Sequence, residues 1–355
     1  MAQAFESNTW STSVAMDVCS LIEAAFLDVP FRTLVIGIAA PLILVWFLLP
    51  VVWWYRQAYG DVLENQVART SFQYLPGELA PPLWRPGEVT LSVIVPTFNE
   101  ADRLPYMLEE AIGYLEDRTW AAPVGGFTYE IVVVDSGSSD DTYTVALRTA
   151  VQDRQRTTLR RLGEVRVLEL TANRGKGYAA RVGMLVARGD LLLLADADGA
   201  TRIADVERLE QALHKHRWDG VHIAFGSRYH LRWEQTSKRW ALEHIRHIFA
   251  SVSDAMAWLF VGGPVYDVHC GFKLFRARVG KALFASIHLF GWSFDIELLL
   301  LARLLGARIA EVPVTYTDMP GSKFKTVRDS MGLLRDTLLV IPLYFCGLWR
   351  PSVLI

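Results

Sequence analysis

The stretch LLLLADADGAT, Leu191 to Thr201, decides how this chain is read. Its leucines are apolar at consecutive positions, as expected of a parallel strand covered on both faces. Two carboxylates, Asp196 and Asp198, follow, with Gly199 behind them. Side chains alternate along a strand, so a period of two puts both aspartates on one side and turns Ala197 away. Like charges that close repel, and burial raises the cost. A divalent cation removes the conflict. Mg²⁺ and Mn²⁺ prefer oxygen ligands and are held by one or two carboxylates together with substrate phosphates. The pair reads as a metal site facing a diphosphate; two solvated acids in a loop are the alternative.

Working outward, LSVIV (91–95), EIVVV (130–134) and VRVLEL (165–170) are further continuous apolar runs. Helical patterning near 102–118, 139–157 and 176–188 separates them. This alternation predicts a doubly wound α/β domain with a mostly parallel sheet, whose ligands bind beyond the carboxyl ends of the strands. The segments there are PTFNEADRLP, DSGSSDDT, TANRGKG and DADGAT, all polar or glycine-rich. Any one of them reads as ordinary caps and turns; four on one sheet edge read as a ligand site. NRGKG (173–177) brackets a lysine with glycines at a helix start, which suits a phosphate. The P-loop spacing is absent, and no G-x-G-x-x-G follows the first strand, which argues against a dinucleotide oxidoreductase.

The chain has 355 residues, 52% of them hydrophobic and 21% charged, enough for a large core. A net charge of −2 gives no electrostatic case for a nucleic acid partner. Cys19, Cys270 and Cys346 fit neither a disulfide framework nor a zinc site. Residues 33–55 form a run of 23 without a charge, ending in Trp53, Trp54, Tyr55 and then Arg56. That length and aromatic edge predict a transmembrane anchor. Residues 1–32 carry four acids and one arginine, so the charge bias puts them in the lumen and the bulk of the chain in the cytosol. A connector spans 56–88, the main domain 89–330, and an apolar, membrane-proximal tail 331–355. Apolar residues at 241, 245, 248, 252, 255 and 259 line one face of a helix over 238–260, either core-packing or interfacial. The tail segment 333–349 poses the same choice; Pro342, Arg335 and Asp336 make a second full span less favourable. His244, His247 and His269 are read as packing or surface residues.

In order, SVIVPTFNEADRLPYML, YEIVVVDSGSSDDT, NRGKGYAARVGM, GDLLLLADADGAT, FGSRY, DVHCGFKLF, WSFDIELLLLA and EVPVTYTDMPGSK resemble the family 2 glycosyltransferases of the GT-A fold. The resemblance runs from about Leu91 to Arg335, and is nearest to the branch that moves glucose from UDP-glucose to dolichyl phosphate for protein N-glycosylation. It implies that Pro96, Thr97, Asn99 and Glu100 line the uridine pocket and that Asp135 binds base or ribose. Lys176 would approach the nucleotide side of the donor. Asp196 and Asp198 would hold Mg²⁺ or Mn²⁺ on the diphosphate. Arg228 would meet the acceptor phosphate or the donor, Asp295 and Glu297 would sit near the sugar, and Trp292 would offer a stacking face.

Two positions depart from the family pattern. Ser136 stands where a second acidic residue is usual, and Ala200 where mannose-transferring relatives carry glutamine, which argues against mannose. A lipid phosphate, with a second pKa of about 6, is already an ionised nucleophile. It needs positioning and screening more than a base. Arg228, Lys238 and Arg239 are therefore expected on the acceptor phosphate, with Asp198, Arg228 and Asp295 as the catalytic residues and Asp295 a sugar-hydroxyl ligand first and a base second. A single displacement would invert the anomeric centre. Other readings are a mannose or galactose donor, a processive polysaccharide synthase (Q-x-x-R-W is broken in QTSKRW), and a catalytically silent nucleotide-sugar-binding module.

Overall fold

The structure is a computed structural model describing residues 87–123, 126–156, 163–215, 220–231, 265–321 and 326–351. The expected anchor 33–55, the segment before it, nearly all of the connector, Lys238, Arg239, His244, His247 and the 238–260 helix lie outside the described residues. Among the described residues no helix is long and apolar enough to cross a membrane.

In chain order the elements are β1 (Val89–Thr97), α1 (Leu104–Ala121), β2 (Tyr129–Asp135), α2 (Thr142–Arg156), β3 (Gly163–Glu169), α3 (Lys176–Val186) and β4 (Gly189–Leu194). There follow α4 (Val206–Lys215), β5 (Val221–Ser227), β6 (Lys273–Arg276), α5 (Ala277–Ser286), α6 (Phe294–Leu304), β7 (Arg308–Pro313) and α7 (Thr326–Phe345). The sheet order is β3-β2-β1-β4-β6-β5-β7. Neighbours pair in parallel except at β6, which runs antiparallel to both β4 and β5.

The continuous apolar runs serve two cores at once. Ile131 and Val133 of β2 pack with Leu104, Leu108 and Leu115 of α1, while Val132 and Val134 pack with Tyr178, Ala179 and Val182 of α3. Alternate residues of one strand thus meet helices on opposite faces, and a polar residue would be buried on either side. The reversal at β6 has a different consequence. Its first residue, Lys273, lies opposite Leu194 at the carboxyl end of β4 and Phe225 near that of β5. The CGFK segment therefore enters the sheet at the same edge where the parallel strands end.

The opposite edge is held by a buried ion cluster. Glu130 accepts hydrogen bonds from Ser92 Oγ at 2.6 Å, Arg188 N at 2.6 Å, Arg166 Nη1 at 2.9 Å and Arg188 Nε at 2.9 Å. Burial alone would raise its pKa, but the two guanidiniums and the hydroxyl outweigh that and hold it below the ordinary carboxylate value. A folded pKa below the unfolded one gives stability that is complete above the unfolded value and lost as pH falls through the folded one. Glu130→Gln is expected to remove about 3 kcal/mol at neutral pH. Denaturant titrations carried from neutral pH down through and below the ordinary carboxylate range should show a flatter pH slope for the variant there; parallel slopes would contradict this role.

Candidate active site

The loops after β1 and β2 are laced together. Asn99 takes a positive φ of 56°, which asparagine tolerates better than most residues. Its Oδ1 accepts from Ser139 N at 2.8 Å, and its own N–H donates to Ser138 Oγ at 2.9 Å. Asp135 is buried at the end of β2, where it accepts from Ser138 N at 3.0 Å, Ser138 Oγ at 2.5 Å and Thr97 Oγ1 at 3.4 Å. Pro96 and Thr97 close β1 beside it. Glu100 receives two hydrogen bonds from Arg103, at 2.5 and 2.6 Å. Arg103 in turn reaches Pro320 O at 3.2 Å and stands 3.8 Å from Asp198 Oδ2.

Strand alternation is not what positions the two aspartates. β4 ends at Leu194, and Asp196 and Asp198 sit on a turn closed by Gly199 at φ 67°. They still share one field. Burial and then Asp196 push the Asp198 pKa up, only partly offset by the Ala200 N–H, Arg103 and Lys176. Lys176, the first residue of α3, lies 2.5 Å from Asp196 Oδ1. Burial would lower its pKa, but Asp196, Asp295 and Asp198 outweigh it and raise it, so it stays charged. Asp196 Oδ1 is buried against that ammonium.

Gly271 makes the seat for Asp196. A Cβ there would lie 2.0 Å from Asp196 Oδ2. Two crowded carboxylates, one of them seated against a bare backbone that a Cβ would fill, fit a divalent cation. Among the described residues no group of three or more histidine, cysteine, aspartate or glutamate side chains gathers here. Two carboxylates leave the remaining ligand positions to substrate oxygens and water, as Mg²⁺ commonly does. Gly271→Ala should displace Asp196 and lower kcat/KM about a hundredfold, equivalent to about 2.7 kcal/mol. Steady-state kinetics with a melting curve would check this; activity near wild type would show that Asp196 tolerates the shift.

Behind the aspartates lies a buried pair. Lys273 donates to Asp295 Oδ1 at 2.7 Å and to Cys270 O at 2.5 Å. His269 Nδ1 stands 3.9 Å from Asp295 Oδ2. Burial would raise the Asp295 pKa, but Lys273, His269 and Lys176 together lower it. Burial lifts the Cys270 thiol to about 11, so it stays protonated at neutral pH. On the far side Arg228 is gripped by Asp267, Nε to Oδ2 and Nη2 to Oδ1, both at 2.8 Å, with the Tyr316 ring 5.1 Å from its guanidinium. The Trp292 ring lies 5.4 Å from the Lys176 ammonium. Glu297 stands apart: it is fully buried and accepts from His288 N, Leu289 N and Tyr344 OH.

The geometry is thus an acidic pair flanked by Arg103 and Lys176 at the carboxyl edge of the sheet, and the sequence carrying it can be compared with known proteins. Residues 92–284 match the sequence profile of glycosyl transferase family 2. The chain belongs to that family. It is 42% identical over 262 residues to a dolichyl-phosphate beta-glucosyltransferase of Drosophila melanogaster, spanning 73% of this chain and 77% of the relative. The Homo sapiens protein of that name is 38% identical over 275 residues, 77% of this chain and 81% of its own. The Saccharomyces cerevisiae one is 33% identical over 273 residues, 75% and 78% respectively. A solved structure of Mycobacterium tuberculosis glucosyl-3-phosphoglycerate synthase with UDP aligns over 78% of this chain and 90% of that one, at 19% identity and TM-score 0.49.

The tertiary structure brings Lys176, Asp196, Asp198, Trp292 and Asp295 together and leaves Glu297 outside the group. It adds residues that sequence reasoning gave no role: Arg103, Asp267, Gly271, Lys273 and Tyr316. Arg103 had a local signal, an acid–base pair with Glu100 at helical spacing. Gly271 and Lys273 lay inside the quoted CGFKLF motif, but nothing local says that this strand runs backwards.

Proposed function

We propose that the chain is a UDP-glucose-dependent, inverting glucosyltransferase of GT-A type that acts on dolichyl phosphate. The observation that carries this reading is the convergence of Asp196, Asp198 and Lys176 at the carboxyl edge of a family 2 domain whose relatives bear that activity by name. Asp196 and Asp198 would hold Mg²⁺ or Mn²⁺, which when bound offsets the negative charge gathering on the departing diphosphate. The chain's own residues supply the rest. Lys176 adds a fixed positive charge on the nucleotide side, and the Trp292 face beside it suits a sugar ring. Pro96, Thr97, Asn99 and Glu100 with Asp135 form the wall assigned to uridine. Arg228, held by Asp267, presents a rigid guanidinium toward the acceptor phosphate, with Lys238 and Arg239 as further candidates.

Asp295 fits a sugar-hydroxyl acceptor. A carboxylate held in its ionised form by Lys273 is a weak proton acceptor, and an ionised lipid phosphate needs little help as a nucleophile. A single in-line attack gives a β-linked product from an α-linked donor.

We place the enzyme in the endoplasmic reticulum membrane, anchored by 33–55 with residues 89–330 as the domain on the cytosolic face. α7 supports a second contact with lipid. Met331, Leu338 and Phe345 are 63%, 45% and 91% exposed and recur every seven residues, which draws one stripe along a helix. Such a face suits an interfacial helix beside a lipid substrate. Transfer of labelled sugar from UDP-glucose, UDP-galactose and GDP-mannose to dolichyl phosphate, with Mg²⁺, Mn²⁺ or chelator, tests the reading. Glucose transfer abolished by chelator is expected; transfer of mannose or galactose instead would overturn the donor. UDP-glucose binding without any transfer would favour the non-catalytic binding module.

A further inference from the structure

Segment 288–293, which carries Trp292, is held at both ends by side chains that converge on α7. At its start, Glu297 accepts from His288 N at 2.9 Å and Leu289 N at 2.6 Å, and the same carboxylate takes the Tyr344 hydroxyl at 2.7 Å. His288 Nδ1 also lies 2.9 Å from Glu297 and 3.1 Å from Tyr344 OH. Trp349, just beyond α7, stacks on the His288 ring at 4.4 Å between centroids and 9° between planes. At its end, Ser293 Oγ donates to Asp336 Oδ2 of α7 at 2.8 Å. The three residues between these anchors press on the start of α3. Gly177 N donates to Phe290 O at 2.8 Å, and a Cβ on Gly175 would lie 2.2 Å from that oxygen. Lys176, which reaches Asp196, sits between those two glycines.

We propose that α7 positions the donor side of the site: Tyr344 through Glu297, and Asp336 through Ser293, fix both ends of segment 288–293 and so seat Trp292 and the Lys176 turn. Tyr344, Asp336 and Glu297 are positioning residues, since none of them touches the aspartate pair. Glu297 is thereby reassigned from sugar contact to clamp. The reason is angular: it is two residues from Asp295 on one helix, a rotation of about 200°, so the two carboxylates face opposite ways. The same helix α7 turns its apolar stripe outward, so one element carries the lipid-facing surface and the clamp. The assignment of donor binding rests on the function proposed above.

The test uses Tyr344→Phe and Ser293→Ala in the full-length chain, each deleting one hydroxyl. Thr337→Ala is the control: Thr337 is buried on α7, and its hydroxyl bonds Leu333 O within the helix. Hydrogen exchange of 287–294 should accelerate in both Tyr344→Phe and Ser293→Ala and not in the control. KM for UDP-glucose should rise about tenfold, as for one lost hydrogen bond to a charged group, while KM for dolichyl phosphate stays unchanged. Unchanged exchange in 287–294, or equal donor KM in all three variants, would overturn the clamp. If the wild type transfers no glucose, the functional reading fails by itself. The exchange experiment and calorimetric UDP-glucose binding would still decide whether α7 sets the loop.

Discussion

Asp198→Asn is expected to lower kcat/KM for glucosyl transfer about a thousandfold, equivalent to about 4 kcal/mol of transition-state stabilisation. The substitution keeps the shape of the side chain and the oxygen that accepts from Ala200 N at 3.1 Å, and removes only the charge. Asp198 is a carboxylate that burial and Asp196 already push toward protonation. Its ionised form therefore strains the protein when no cation is present. Removing the charge should leave the melting temperature unchanged or raise it, while activity collapses, the trade-off expected where a site is kept for function. Asp196→Asn should lose activity alike but with a lower melting temperature, because it takes away the partner of Lys176. Wild-type protein in chelator should match both variants in activity. A variant that kept a tenth or more of wild-type activity would show that the pair does not carry the diphosphate chemistry.

The second large effect is expected at Lys273. Lys273→Met strands Asp295 in the interior without its bonded cation, and such a loss typically costs about 3–5 kcal/mol. The variant should also move the acidic limb of the pH–rate profile upward. In the wild type, Asp295 is held ionised by Lys273, His269 and Lys176 against its burial. Without Lys273 its pKa rises, and the ionised form appears only at higher pH. The double variant Lys273→Met, Asp295→Asn separates folding from function. Removing both charges should recover most of the stability, because a buried pair replaced as a unit is often neutral, yet leave transfer impaired. Denaturation with steady-state kinetics would check this. Full activity in the double variant would reduce the pair to a packing device.

Much of this chain is legible because its strands are buried on both faces. Val132 and Val134 must be apolar for one core and Ile131 and Val133 for the other, so the run EIVVV announces a covered parallel strand without any knowledge of its neighbours. In such a sheet the polar loops fall on the carboxyl edge, and Asp196, Asp198 and Lys176 stand out there as chemistry. The details were less legible. The aspartates face a common field through a turn at Gly199 and not through strand alternation. Asp295 and Glu297, read together from WSFDIELL, part company because helical rotation separates neighbours that the linear motif keeps together.

The sequence by itself determined the α/β alternation, the edge at which ligands bind, and the acidic pair and lysine there, because burial patterns and loop chemistry are local properties. Only the tertiary structure decided which partners those residues have. Arg228 meets Asp267 across 39 positions and Lys273 meets Asp295 across 22. Both pairings depend on β6 entering the sheet antiparallel, a direction that a four-residue strand does not encode. Direction is settled by what the rest of the sheet leaves to be paired, and with it the charges that sit behind the site.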